Sequence, residues 1–148
     1  MVDFIGLLKK EVVPAEGCTE PIAVAYAVSL AAEQLTAEPT QIRLRLSANI
    51  IKNALGVGIP GTGMVGIEIA AALGAVVRQS AKKLEVLSGF SPDQLAAAKE
   101  LVEARAVRVE QKATPEALYI EARVTDGTDT ARVVIVRDHT NVVRVEKN

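Results

Sequence analysis

The sequence predicts an α+β domain in which a single antiparallel sheet of about four or five strands carries helices mainly on one face. Two stretches of alternating apolar residues, Gln41 to Ile50 and Leu118 to Val136, indicate half-buried strands. A capping box, Ser91-Pro92-Asp93-Gln94, marks the start of a helix between them. Most helical segments therefore precede most strands along the chain.

The helices are predicted from apolar residues at helical spacing and from the signals at their ends. Phe4 to Val12 forms a short amphipathic helix that Pro14 ends. A second helix runs from Thr19 to about Leu35, since Thr19 can cap it and Glu20 suits the positive end of the helix dipole. Its many alanines let another backbone come close. Further helical segments are predicted at 65–77, 81–87 and 91–104.

The strands are separated by glycine-rich and turn-forming residues. Five of the ten glycines fall between Gly56 and Gly66, which predicts a loop. Asp126-Gly127 is typical of a two-residue hairpin loop. The predicted strands are 41–50, 107–109, 118–124, 130–136 and 142–145.

Composition excludes several classes of function. At 148 residues the chain is long enough for one domain with a sizeable core. Its net charge of −1 and 3% aromatic content predict no nucleic-acid partner. The longest apolar run, Ile22 to Ala32, is too short to span a bilayer, and no secretory signal is evident, so we expect a cytoplasmic protein with no membrane partner.

The pentapeptide Gly17-Cys18-Thr19-Glu20-Pro21 holds the only cysteine, at a predicted helix start. A helix dipole and unpaired amide groups favour the thiolate of Cys18, which is the form that binds metals. The ordinary alternative is that Cys18 packs as a small hydrophobe. Its neighbours Thr19 and Glu20 are candidate substrate-binding residues.

The glycine-dense segment from Asn49 to Gly66 is the second candidate site region. Gly56 to Gly61 matches the dinucleotide-binding pattern G-x-G-x-x-G, but Pro60 and the antiparallel strands downstream disfavour that function. A tight turn at Pro60 to Gly63 is the better interpretation. Its amide groups, from Gly61, Thr62 and Gly63, would hold a carboxylate or another small anion, and a plain strand-to-helix connection is the alternative.

Polar residues flank this segment on its strand side. Asn49 and Asn53 are candidate substrate-binding residues, and Lys52 is the best candidate for a general base. His139, the only histidine, falls in a predicted turn, where a surface role is ordinary. We predict that Cys18 and the Pro60 to Gly63 turn line one cleft.

Taken together, four motifs resemble the L-cysteine desulfidase family, which is related to the iron–sulfur L-serine dehydratases. They are Gly17-Cys18-Thr19-Glu20-Pro21, the segment 49–53, the segment 56–63 and the alanine-rich segment 70–75. The resemblance extends from Pro14 to Asn148 and implies that the chain is the amino-terminal domain of a longer protein.

The resemblance also implies a chemistry. It implies a lyase that carries out β-elimination without pyridoxal phosphate, converting L-cysteine or L-serine to pyruvate, ammonia and sulfide or water. A 4Fe-4S cluster would bind through Cys18 and two cysteines of a missing carboxy-terminal domain, so the chain alone is expected to be inactive and without the cluster. The expected partners are an amino-acid substrate and a possible second copy in a homodimer. The alternative is a carboxylate-binding or dimerising domain without catalysis.

Overall fold

The computed structural model describes residues 19–148 and confirms the α+β fold class. The predicted helix at Phe4 to Val12 lies outside the described residues. The helices are α1 (Thr19–Glu33), α2 (Ala48–Ala54), α3 (Ile67–Val77) and α4 (Pro92–Glu103), with a 3-10 helix at Ser80–Glu85. The strands are β1 (Gln41–Leu46), β2 (Gly58–Ile59), β3 (Met64–Val65), β4 (Val107–Gln111), β5 (Tyr119–Thr125), β6 (Thr130–Val136) and β7 (Val142–Lys147). No helix within the described range is long and apolar enough to cross a bilayer.

The main sheet has five strands in the order β4-β1-β5-β6-β7, and β2 pairs with β3 in a small separate hairpin. Three of the four pairings in the main sheet are antiparallel, as expected. The β1–β4 pairing is parallel, which makes the sheet mixed. The chain leaves β1 and returns to β4 through helices, and this kind of crossover joins parallel strands.

The inner face of the sheet forms the core together with helices α1 and α3. Ile42, Leu44 and Leu46 of β1 are fully buried, whereas the residues between them are exposed. The same alternation continues in the neighbouring strands, where Ile120, Ala122, Val124, Ala131, Val133 and Ile135 are fully buried. The predicted periodicity of two therefore identifies the core-facing side chains correctly.

Helices α1 and α3 pack unusually closely and run in the same direction. A Cβ atom added to Gly74 would overlap the backbone of Ala25. The Ser29 hydroxyl donates to the Gly74 carbonyl oxygen at 2.5 Å, and the Glu33 carboxylate accepts from the backbone N–H of Ser80 at 2.7 Å. Residues 25 and 29 of α1 contact residue 74 of α3, and residue 33, further along α1, contacts residue 80, just after the end of α3. Because the contacts advance in the same direction along both segments, both helices begin at the same end of the domain.

The predicted strand from Gln41 to Ile50 is too long, since β1 ends at Leu46 and a helix follows. Ser47 makes the transition: its hydroxyl donates to the Ala117 carbonyl oxygen at 2.8 Å and accepts from the Tyr119 amide at 3.2 Å. Ile50 and Ala54 then point into the core with helical spacing. Asn49, Lys52 and Asn53 consequently lie on α2 and not on a strand end.

Two other local predictions need correction, and one is confirmed. The hairpin loop at Asp126 has four residues rather than two, because the Asp126 carboxylate accepts from the amides of Thr128 and Asp129 at 2.9 and 2.8 Å. Helix α3 begins at Ile67, since Val65 belongs to the β2–β3 hairpin. The capping box is present, with reciprocal hydrogen bonds between Ser91 and Gln94 at 3.1 and 2.8 Å.

Candidate functional site

Several of the predicted site residues lie at one end of the main sheet, which we call the sheet-end site. The backbone N–H of Ser47 donates to the Tyr119 carbonyl oxygen at 3.0 Å, so α2 begins beside the start of β5. The Arg137 amide donates to the Leu118 carbonyl oxygen at 3.1 Å, which brings the β6–β7 turn to the same end. The sheet-end site comprises Thr19, Glu20, helix α2 and His139. The segment 58–66 leads into α3 on the β4 side of the sheet, where Met64 and Val65 line a depression together with Val107 and Val109.

The most informative contact in this region joins Glu20 to His139. The Oε2 atom of Glu20, in the first turn of α1, lies 3.5 Å from Nε2 of His139 in the β6–β7 turn. The side chains are 19% and 29% exposed. His139 Nε2 is buried and makes no hydrogen bond to any described residue. A histidine and a carboxylate that are distant in sequence are therefore brought together in a half-buried setting.

The β6–β7 turn holds His139 through its own hydrogen bonds. The Asp138 carboxylate accepts from the His139 amide at 2.6 Å. The Asn141 side-chain amide donates to the Val136 carbonyl oxygen at 2.8 Å. These bonds fix the backbone on both sides of His139, so the position of the imidazole is set by a closed turn.

The amino ends of α1 and α3 lie at this same end of the domain. The two helices touch at Ala25 and Gly74, which at 1.5 Å per residue lie about 9 and 11 Å from their first residues. Gly66, which precedes α3, has φ 102° and ψ 179°, a conformation that favours glycine. Both helices thus direct the positive ends of their dipoles towards this end of the domain.

The predicted turn from Pro60 to Gly63 connects β2 and β3. The buried Thr62 hydroxyl donates to the Ile59 carbonyl oxygen at 2.7 Å and accepts from the Met64 amide at 2.9 Å, so its first role is to close the turn. Gly61 and Gly63 have φ of 84° and 69°, which explains part of the glycine density. Both residues are exposed, and their amide groups make no hydrogen bond within residues 19–148. The pattern G-x-G-x-x-G therefore forms a hairpin and not the strand-to-helix turn of a dinucleotide fold.

Lys52 and Asn49 lie on α2, which packs against α1. No hydrogen bond or ion pair joins Lys52 to another described residue. The roles of Lys52, Asn49 and Asn53 stay predictions. Cys18 lies outside the described residues, and so does the predicted cleft between Cys18 and the turn at Pro60 to Gly63.

The residues of this chain do not fit a 4Fe-4S cluster. Such clusters are held by several cysteine thiolates, and the chain contains one cysteine. Within the described residues, no group of three or more His, Cys, Asp and Glu side chains could hold a metal ion. No chemical step is therefore assigned to a cluster.

Comparison of the sequence with known proteins finds bacterial relatives that match almost the whole chain. The chain is 56% identical over 143 residues to a UPF0597 protein of Clostridium perfringens, 50% identical over 145 residues to one of Parabacteroides distasonis, and 47% identical over 146 residues to one of Chromobacterium violaceum. These matches cover 97–99% of the chain but 34% of each relative. No protein-family profile and no solved structure matches.

The matching relatives are UPF0597 proteins, and the chain spans about one third of their length. The predicted assignment to the L-cysteine desulfidase family is therefore wrong. The motifs from which it was inferred occur in a chain whose relatives carry a different family name and no stated activity.

The sequence alone predicts only an ordinary surface position for His139, whereas the structure places this residue against Glu20. Nothing in the local sequence around His139 signals this contact, because its partner lies at the opposite end of the described chain. Its being the only histidine is the single feature that could have drawn attention to it.

Proposed function

We propose that this chain is the part of a longer lyase that binds a small amino acid between the sheet-end site and the segment 58–66 and moves its α-proton. In this proposal, amide groups at Gly61 and Gly63 hold the substrate carboxylate. His139, oriented by Glu20, acts as the general base. Removal of the α-proton begins a β-elimination, in which a leaving group then departs from the neighbouring carbon.

The contact between Glu20 and His139 is the observation that carries this proposal. With a proton on Nε2, which faces the Glu20 carboxylate, the imidazole keeps the Nδ1 lone pair for a substrate proton. A carboxylate also stabilises the imidazolium that forms after proton transfer. His139 is 29% exposed, so a small molecule can reach it from solvent. For these reasons His139 is better placed as the base than Lys52.

The proposed carboxylate contact uses two backbone amides of the β2–β3 turn. Gly61 and Gly63 are exposed residues of a turn that the Thr62 hydroxyl closes, and their N–H groups make no hydrogen bond within residues 19–148. Oriented backbone amides of this kind bind anions, and the amino ends of α1 and α3 at the same end add positive potential. Removing the α-proton of an amino acid also needs an electrophile that stabilises the resulting carbanion. In this proposal that electrophile belongs to the remainder of the longer protein.

Binding is tested on the chain itself by calorimetry and by amide NMR. We expect L-serine and L-cysteine to bind and to shift the amide signals of Gly61 and Gly63, because both carry the carboxylate. Serinol, which replaces that carboxylate with an alcohol, should not bind. Equal binding of serinol, or unmoved Gly61 and Gly63 signals, would contradict the proposed carboxylate contact.

The chemical step is tested in a protein of UPF0597 length that carries this sequence. Ammonia release from L-serine or L-cysteine should fall by about a hundredfold or more in His139→Asn, a typical loss for a general base. Amino-acid binding should persist in that variant. Glu103→Gln, an exposed change at the end of α4, is the matched control and should keep the full rate. Binding without turnover in the unmodified protein would favour a carboxylate-binding domain without catalysis.

A further inference from the structure

The outer face of the main sheet, opposite the helices, carries a line of arginines that the sheet-end site does not use. Four adjacent strands each contribute one arginine at the same level: Arg108 of β4 pairs with Arg43 of β1, Arg43 with Arg123 of β5, and Arg123 with Arg132 of β6. We call these four residues the arginine row. It crosses most of the sheet.

The next level of the same face provides an internal comparison. There Glu110, Arg45 and Glu121 are cross-strand neighbours, so charges alternate. Arg45 lies 3.8 Å from Glu110 and 4.0 Å from Glu121. Opposite charges across strands stabilise a sheet, and like charges directly opposite each other destabilise it. The arginine row therefore lacks the alternation of charge that is seen at the next level of the same face.

Acidic side chains neutralise the four arginines of the arginine row to different extents. Arg132 is well paired, with Nε 3.0 Å from Glu121 and Nη1 3.0 Å from Glu146. Arg123 has only a 3.8 Å contact with Glu121. Among residues 19–148, no carboxylate lies within ion-pair distance of Arg43 or Arg108, and both are exposed. One end of the row thus presents guanidinium groups that no described acidic side chain balances.

Glu121 is a buried carboxylate on the outer face, next to the arginine row. Its side chain is 4% exposed, and it accepts hydrogen bonds from the Tyr119 hydroxyl at 2.9 Å and from Arg132 at 3.0 Å. Burial raises the pKa of Glu121, but the hydrogen bonds from Arg132 and Tyr119 and the charge of Arg45 outweigh this and lower it overall. Glu121 is committed to these partners, which limits its capacity to neutralise Arg43.

Shallow depressions lie on both sides of Arg43 and Arg123. One, of about 210 Å³, is also lined by Leu44, Arg45, Arg108, Glu110 and Glu121. The other, of about 340 Å³, is also lined by Gln41, Thr125 and Thr130, whose side chains can donate hydrogen bonds. A ligand centred on Arg43 and Arg123 could therefore extend to either side.

We propose that the arginine row binds the phosphate group of a small phosphorylated molecule. Guanidinium forks pair with phosphate oxygens in a bidentate manner, and a dianion would remove the repulsion between Arg43, Arg108 and Arg123. The face as a whole holds more arginines than glutamates, although the chain carries a net charge of −1. The Lys112 ammonium lies over the Tyr119 ring, 5.7 Å from its centre, so this ring is already covered by a cation and does not offer a free surface for stacking nucleic-acid bases.

The test uses inorganic phosphate and glycerol 3-phosphate, with chloride at matched ionic strength as the reference. We expect both ligands to shift the amide signals around Arg43, Arg108 and Arg123 and to raise the melting temperature. Arg43→Gln and Arg108→Gln should each weaken binding by about tenfold, the value of one charge-assisted pair. Arg144→Gln, on the same face but outside the arginine row, is the matched control and should bind normally.

A second readout separates binding from a loss of folding. Without phosphate, Arg43→Gln should melt no lower than the unmodified chain, because the substitution removes repulsion. Equal stabilisation of Arg43→Gln and Arg144→Gln by phosphate would overturn the proposal. Exclusion of glycerol 3-phosphate would also overturn it, as would tighter binding of an acidic peptide or an oligonucleotide. None of these outcomes depends on the sheet-end site.

Discussion

The two faces of the main sheet carry different kinds of side chain. The inner face is a continuous layer of aliphatic side chains under α1 and α3, in which Ile42, Leu44 and Leu46 are fully buried. The outer face is a charged layer in which one level alternates in sign and the next level, the arginine row, does not. The inner face therefore accounts for the stability of the fold, whereas the outer face retains unbalanced charge that a ligand could use.

The largest expected effect lies on the inner face. Leu44→Ala should reduce the free energy of unfolding by about 2–5 kcal/mol, because it opens a cavity in the centre of the core. The adjacent change Arg43→Ala, which points to the other face, should alter it by about 0.5 kcal/mol or less. Urea unfolding measures both. Similar losses in the two variants would break the distinction between the faces.

The contact between α1 and α3 should be nearly as sensitive. Gly74→Ala should cost about 1–3 kcal/mol, since its Cβ would overlap the Ala25 backbone and overpacking outweighs the better helix propensity of alanine. Ala96→Gly, on α4, is the matched control and should lose only about 1 kcal/mol of propensity. A Gly74→Ala variant that is more stable than the unmodified chain would show that the helices do not approach so closely.

Glu121 should make the outer face sensitive to pH. Its pKa is lower in the folded chain than the ordinary value of 4.5, so its stabilisation is present above that value and is lost as the pH falls through the folded pKa. Glu121→Gln should cost about 1–2 kcal/mol at pH 7, because Arg132 loses a charged partner. It should also flatten the fall in stability between about pH 5 and pH 3. An unchanged pH profile would contradict the role of Glu121.

The smallest expected effect belongs to the arginine row. Arg43→Gln should raise the free energy of unfolding by about 0.5 kcal/mol at low salt, because it relieves repulsion from Arg108 and Arg123. The gain should shrink as salt screens the charges. Thermal unfolding at two salt concentrations measures it, and a destabilised variant at low salt would contradict the account.

Local patterns predicted most of the fold. Alternation at Ile42, Leu44 and Leu46 identified both the strand and its buried face, and the capping box located the start of α4. The prediction failed where tertiary contacts, and not the local sequence, determine the structure. Ser47 ends β1 through hydrogen bonds to residues 117 and 119, which the sequence around it does not reveal. The parallel pairing of β1 with β4 likewise depends on the path of the intervening helices.

The candidate site was predictable only in part. The segments around Thr19 and Gly61 were predicted as site regions because small and polar residues cluster there in the sequence, and their roles stay predictions. The pairing of Glu20 with His139 was not, since it joins the two ends of the described chain. The arginine row was also hidden, because single strands show each arginine as an ordinary exposed residue and only the register aligns them.

The most direct test of the sheet-end site follows the imidazole of His139 by proton NMR. His139 is the only histidine, so its ring signals in the untagged chain are unambiguous. Our account predicts that L-serine shifts these signals in a saturable way, that serinol does not, and that Glu20→Gln alters the response. Ring signals that stay fixed while L-serine binds would show that His139 does not meet the substrate and would contradict the proposed function.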